Sequence, residues 1–291
     1  MRKDLIKLHF IVLLWGFTGV LGALIQLSAI YIVFYRLLIA TTGIFIWMAY
    51  TKMSFKIMSR DLMLIIGTGI IIAFHWITFF HAIKVSNISV ALACMSAVSV
   101  FVALLEPLFF KRRIILYELF FALLTVAGLY LIFRFEPGYR TGILFSITSA
   151  FLAALFTVIN GIYIKKHSSD IITLYEMIGG LAAISIYIFL TDGIIIKQFY
   201  IDLYSFFWLL ILGTICTSYA FMESVKIMKK LTPFTVAITV NLEPVYAIIL
   251  AVLIFGDKEF MSLGFYIGTS IILTTIFANS WLKSRKKQKL Q

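Results

Sequence analysis

Charge is what this sequence has least of. Asp, Glu, Lys and Arg make up 13% of its 291 residues, against about 25% in a soluble domain. Apolar residues reach 62%, where about 45–50% is usual. A water-soluble fold cannot bury that much apolar surface, so lipid must be the solvent for much of the chain. Cysteine is nearly absent as well. Cys94 and Cys216 both lie inside apolar runs, which argues against a disulfide framework or a thiolate metal site. Signatures of catalysis are also missing. There is no GxSxG, no HExxH and no phosphate-binding loop, and His75 and His81 stand six apart rather than the four that place two ligands on one helix face. The acids within apolar runs are too few for a catalytic dyad, so an integral membrane enzyme is a minor alternative.

What is present is a series of apolar runs, at about 7–25, 29–50, 61–82, 88–110, 116–133, 141–164, 171–191, 204–227, 233–255 and 261–282. Each is long enough to cross a hydrocarbon core of about 30 Å at roughly 1.5 Å per residue. The first run follows a basic start and so imitates a secretory signal. It is longer than such a signal's apolar core and many like it follow, so it reads as the first membrane helix. The aromatic share of 16% suits a chain with two membrane interfaces.

The net charge of +12 would suggest nucleic acid if the basic residues formed one patch. They do not. With the N-terminus in the cytoplasm, 19 of the 25 basic residues fall in or beside cytoplasmic segments and five in outer ones, with Arg36 inside a run. That bias orients the chain with both termini inside and leaves no call for a nucleic-acid partner. The tail KSRKKQK (283–289) serves the same bias, or contacts a partner or anionic lipid. Asn87-Ile88-Ser89 matches a glycosylation acceptor only by chance, because it lies against the membrane.

The runs divide into five and five, giving repeats at 1–135 and 136–282 and a basic tail at 283–291. A shift of 145 brings Lys84 onto Lys229, Phe101 onto Tyr246, Leu105 onto Leu250 and Phe110 onto Phe255. An odd number of spans per repeat inverts the second repeat across the bilayer. The expected fold is therefore all-α and integral to the membrane, with ten transmembrane helices as two inverted repeats. Secondary transporters commonly use this plan, with a substrate site near the midplane.

Polar residues recur at helical spacing inside the runs. Thr235, Thr239, Glu243 and Tyr246 share one face, and Glu243 lies about 16 Å deep by its position in the run. A charge facing lipid there costs about 2.5–3.5 kcal/mol, so Glu243 should face a wet interior. Pro244 beside it disturbs the local backbone. Similar stripes run through Ser146, Ser149, Ala153, Thr157 and Asn160; through Ser89, Ala93, Ser96, Ser99 and Ala103; through Trp15, Thr18, Gly22 and Gln26; and through Gly67, Ile71, His75, Thr78 and Ala82. Tyr219, Glu223 and Lys226 form another. Stripes of small residues equally suit helix packing. His75 equally suits a hydrogen-bonded structural histidine, Arg36 a snorkelling or paired one, and Trp76 a packed or lipid-facing side chain. Glu118 and Glu176 read as interfacial. The candidate cavity residues are Trp15, Thr18, His75, Ser96, Ser99, Asn160, Tyr219, Asn241, Glu243 and Tyr246.

Four segments carry a resemblance: LLWGFTGV (13–20), FYRLLIA (34–40), SVFVALLEPLFFKRR (99–113) and FTVAITVNLEPVYAIILAVLIFGDKE (234–259). With them the chain resembles the drug/metabolite transporter superfamily, and within it the EamA-type ten-helix members. Asp257 stands where that family usually has Glu. The resemblance implies an exporter or exchanger of small metabolites, often amino acids or related compounds, in a cell membrane, usually the bacterial inner membrane. It implies helices 1, 3, 4, 6, 8 and 9 around a central cavity, and neither cofactor nor ATP site. The partners expected are a small-molecule substrate, the bilayer and protons as a candidate coupling ion, since a buried Glu243 could bind a substrate ammonium or carry a proton. A passive channel is the other alternative, but a single Glu makes no charged ring.

Overall fold

The computed structural model describes residues 2–111, 113, 116–191, 199–240 and 242–288. Among these residues there is no strand, and helix occupies every one of the apolar runs. The helices are α1 (Arg2–Leu24), α2 (Ala29–Tyr50), α3 (Ser59–Val85), α4 (Ile88–Met95), α5 (Val98–Phe110), α6 (Leu116–Phe135), α7 (Arg140–Tyr163), α8 (Ser169–Thr191), α9 (Leu203–Gly213), α10 (Ala220–Ile227), α11 (Pro233–Val240), α12 (Glu243–Phe255) and α13 (Leu263–Gln288). By length and composition seven described stretches can cross a membrane: α1, α2, α3, α4 with α5, α7, α8, and α9 with α10. Large apolar side chains such as Leu108, Leu190 and Leu253 stand exposed on the outside, as a lipid-facing surface requires.

Three of the runs are interrupted. Between α4 and α5 the N–H groups of Ser96 and Ala97 donate three residues back, to Ala93 and Cys94, at 3.3 and 3.1 Å. Between α11 and α12 Leu242 donates three residues back to Thr239 at 3.1 Å, and Pro244 has no N–H to continue the ladder. The two interruptions are equivalent. A shift of 145 carries 88–95 onto 233–240 and 98–110 onto 243–255, so α4 falls on α11 and α5 on α12 without remainder. The third interruption is a π-helical segment, Thr214–Tyr219, between α9 and α10.

The broken helices run antiparallel, because α4 packs on α12 and α5 on α11. Other large contacts also cross between repeats: α3 with α7 and α8, α6 with α13, and α1 with α12. The α3–α8 crossing is a backbone contact. A methyl group on Gly69 would collide with the main chain of Glu176, and one on Gly179 with that of Ile66. Without a hydrophobic drive in lipid, such close approach is how helices gain dispersion energy. Ion pairs join the repeats at the end where α1 begins, Lys7 to Glu223 at 2.6 Å and Lys230 to Asp4 at 3.1 Å, and a His167–Asp61 hydrogen bond of 2.8 Å adds to them. At the opposite end Lys84 Nζ donates to the Ile25 carbonyl at 2.7 Å.

Candidate functional site

Where the interrupted helices meet the long ones, a cavity of about 90 Å³ opens inside the bundle. Its walls come from both repeats. Trp15 and Thr18 of α1, Arg36 of α2, and His75, Trp76 and Phe79 of α3 face Phe156 and Asn160 of α7, Phe221 of α10 and Glu243 of α12. Met95 and Val98 flank one helix break, and Val240 and Glu243 the other.

Arg36 is the most constrained polar group here. It is 2% exposed. Its Nε donates to Thr217 Oγ1 at 2.7 Å, and its guanidinium carbon lies 3.8 Å from the Trp76 ring centroid. The π segment makes this possible: Thr217 Oγ1 donates in turn to the Leu212 carbonyl five residues back, at 2.6 Å. Such π insertions often re-aim side chains at functional sites. Trp15 is tied to the same segment, donating Nε1–H to the Cys216 carbonyl at 3.1 Å. Arg36 Nη1 has no protein partner among the described residues.

His75 is anchored to α7. Its Nδ1 lies 3.0 Å from the Ser149 carbonyl oxygen, while the Ser149 hydroxyl donates to the His75 carbonyl at 2.9 Å. The Ser149 hydroxyl lies 2.8 Å from Nδ1 as well. The His75 ring also packs at a tilt on Phe156, centroids 5.3 Å apart, and Phe156 on Phe221 at 5.8 Å. Thr18 Oγ1 and the Asn160 amide are buried and make no hydrogen bond of good geometry, although Thr18 adjoins Cys216 and Asn160 adjoins the Glu176 carboxyl. Unpaired buried groups are costly unless a ligand or water completes them. Glu243 keeps accessible surface toward the cavity, and among the described residues it has no ion-pair partner. Arg36 and Glu243 are thus a base and an acid on one cavity with no salt bridge between them.

Of the ten residues read from the sequence, the cavity brings together Trp15, Thr18, His75, Asn160 and Glu243. Ser96 and Ser99 lie instead at the α4–α5 break, where the Ser99 hydroxyl donates to the Ser96 carbonyl at 3.1 Å. Tyr219 closes the π segment and is 40% exposed. Tyr246 packs where α12 meets α1, its Cβ beside Gly16. Asn241 lies outside the described residues. The sequence reading did not select Arg36, Trp76, Phe79, Phe156 or Phe221. Arg36 carried a signal, being an ionisable residue inside an apolar run. The aromatics carried none, because Phe is common throughout the chain. Glu176, expected at the interface, is fully buried with Asn160 as its polar neighbour.

Comparison with known proteins agrees with this layout. The family model described as the EamA-like transporter family matches residues 5–134 and again 140–281. A solved crystal structure superposes with a TM-score of 0.72 at 15% sequence identity, covering 96% of this chain and 98% of the other. At that identity the likeness is one of fold. Among curated proteins, no sequence matches.

Proposed function

Because the chain belongs to the EamA-like transporter family, whose members are membrane transporters of small molecules, we propose that it is a secondary active transporter working by alternating access around the Arg36–Glu243 cavity. It acts as an exporter or exchanger in a cell membrane, the bacterial inner membrane, with ten spans, inverted repeats and both termini in the cytoplasm. Protons are the candidate coupling ion. No cofactor and no enzymatic step enter this reading.

The observation that carries it is the unbridged pair of charges. In a low-dielectric interior a lone charge is expensive, and a counter-charge offsets the cost. Arg36 and Glu243 share a cavity without pairing, so a ligand bearing both a carboxylate and an ammonium satisfies both at once. Trp15, Phe79, Phe156 and Phe221 cover its apolar part. Amino acids and related zwitterions have this chemistry. Thr18, Asn160 and the His75 ring add hydrogen-bonding groups that fix orientation.

A screen of zwitterionic metabolites in proteoliposomes, with and without a pH gradient, tests the proposal. Saturable uptake is expected, and Glu243→Gln abolishes it while leaving expression intact. Unchanged uptake by that variant removes Glu243 from the mechanism. Flux that fails to saturate supports a passive facilitator instead.

A further inference from the structure

Two buried carboxylates outside the cavity hold one repeat to the other. Glu259, just past α12, is 5% exposed, and Glu106 in α5 is 6% exposed. Glu259 Oε1 accepts the Ile88 N–H at 3.2 Å, and its Oε2 accepts the Ser89 N–H at 2.9 Å and the Ser89 hydroxyl at 2.7 Å. Glu106 Oε2 accepts the Phe234 N–H at 3.0 Å. Each carboxylate therefore sits on the first turn of a half-helix from the other repeat: Glu259 on α4 and Glu106 on α11. Those half-helices are equivalent under the shift of 145, and their N-termini lie at opposite ends of the antiparallel pair.

Neither half-helix depends on its distant carboxylate to stay helical. Asn87 Oδ1 accepts the Val90 N–H at 2.8 Å, and Thr232 Oγ1 accepts the Thr235 N–H at 3.2 Å. Asn87 and Thr232 are also equivalent under the shift, and each is an ordinary N-cap. The distant carboxylates thus add attachment between repeats to helix ends already capped. At their other ends the same half-helices reach the cavity, through Met95 in α4 and Val240 in α11. Eight residues of helix span about 12 Å. Each attachment stands one half-helix away from the site, on opposite sides.

We propose that Glu259 and Glu106 are the two gate latches of this transporter, Glu259 closing the cavity at the α4 end and Glu106 at the α11 end. This rests on the alternating-access reading. Both latches are formed in this structure, so it is fastened at both ends. A carboxylate on a helix N-terminus is a charge-assisted bond aimed along the helix dipole. Releasing one frees a single half-helix, which keeps its local cap and swings as a unit. In the proposed topology the α4 latch faces outside and the α11 latch faces the cytoplasm.

The test needs no substrate. In a background with Cys94→Ala and Cys216→Ala, Ala153→Cys places a thiol on the cavity wall. Its reaction with a membrane-impermeant thiol reagent is followed in right-side-out and in inside-out vesicles. Glu259→Gln is expected to raise the labelling rate from outside by about tenfold, and Glu106→Gln from the cytoplasmic side by a similar factor, as befits losing a bond to a charged group. Ser89→Ala, which removes only a hydroxyl donor, shifts labelling in the same direction as Glu259→Gln but less. The proposal is overturned if the two Gln variants open the same side, or if neither changes labelling while the protein stays monodisperse. Should a Gln variant aggregate, Ser89→Ala and Glu106→Asp decide by the same sidedness. Sided labelling without uptake of any substrate sinks the transport reading and leaves the latches; uptake without sidedness does the reverse.

Discussion

Arg36 shows how one residue acquires a role from its surroundings. Alone in an apolar run it reads as a structural charge. Thr217 takes one edge of its guanidinium and Trp76 covers a face, which leaves Nη1 to meet a ligand. If Nη1 binds the ligand's carboxylate, Arg36→Gln lowers affinity for a zwitterion about tenfold or more. It should hardly change affinity for the corresponding methyl ester, which has no carboxylate to lose. Arg36→Lys keeps the charge but not the planar fork, so it restores binding only in part. Quenching of the cavity tryptophans, Trp15 and Trp76, reads these affinities. Equal losses for acid and ester would mean that Arg36 only holds the π segment in place. The sequence told the depth of Arg36 and Glu243 but not that they share a cavity, because depth follows from counting along a helix and azimuth does not. Tyr219 shows the same limit. The π segment ending at Tyr219 shifts the phase between α9 and α10, so the direction Tyr219 takes does not follow from counting along α9.

At the scale of elements the sequence was far more legible. The apolar runs anticipated the helices, and the shift of 145, drawn from sparse identities such as Leu105 with Leu250, lands on equivalent helix breaks to the residue. Hydrophobic length survives in any lipid-facing helix, so it is written plainly. The breaks were half visible: Pro244 announces one, whereas Ser96-Ala97 has no breaker residue and depends on tertiary packing. Glycine stripes were legible only as two alternatives, packing or cavity. The α3–α8 crossing makes a matched test. Gly69→Ala drives a methyl group into the Glu176 main chain, whereas Gly67→Ala meets nothing within 4 Å. Overpacking costs about 1–3 kcal/mol when side chains can yield, and a backbone neighbour yields less. Gly69→Ala should therefore lower the thermal midpoint in detergent by several degrees. Gly67→Ala should leave it unchanged or raise it, since Ala favours helix over Gly by about 0.8–1 kcal/mol. Equal midpoints would deny that this contact holds the repeats together.

For the whole molecule, the physical premise is that two similar repeats cross the bilayer in opposite senses. The antiparallel pairing of α4–α5 with α11–α12 requires that opposition locally; the distribution of Lys and Arg extends it to the bilayer. The first constraint comes from packing and the second from the cost of moving charge across lipid, so they are independent. They converge on a sided prediction. Ser28 lies in the turn between α1 and α2, Ser168 in the turn between α7 and α8, and both are exposed. Each turn joins the first two long helices of a repeat, save that the second repeat begins with α7. With one repeat inverted, these corresponding turns must emerge on opposite faces. In the cysteine-free background, Ser28→Cys should react with an impermeant maleimide in intact cells, and Ser168→Cys only after the membrane is permeabilised. If both react from the same face, the repeats run in parallel. The cavity between them would then lack the two-fold relation that lets one conformation become the mirror of the other across the membrane, and alternating access would need a different source.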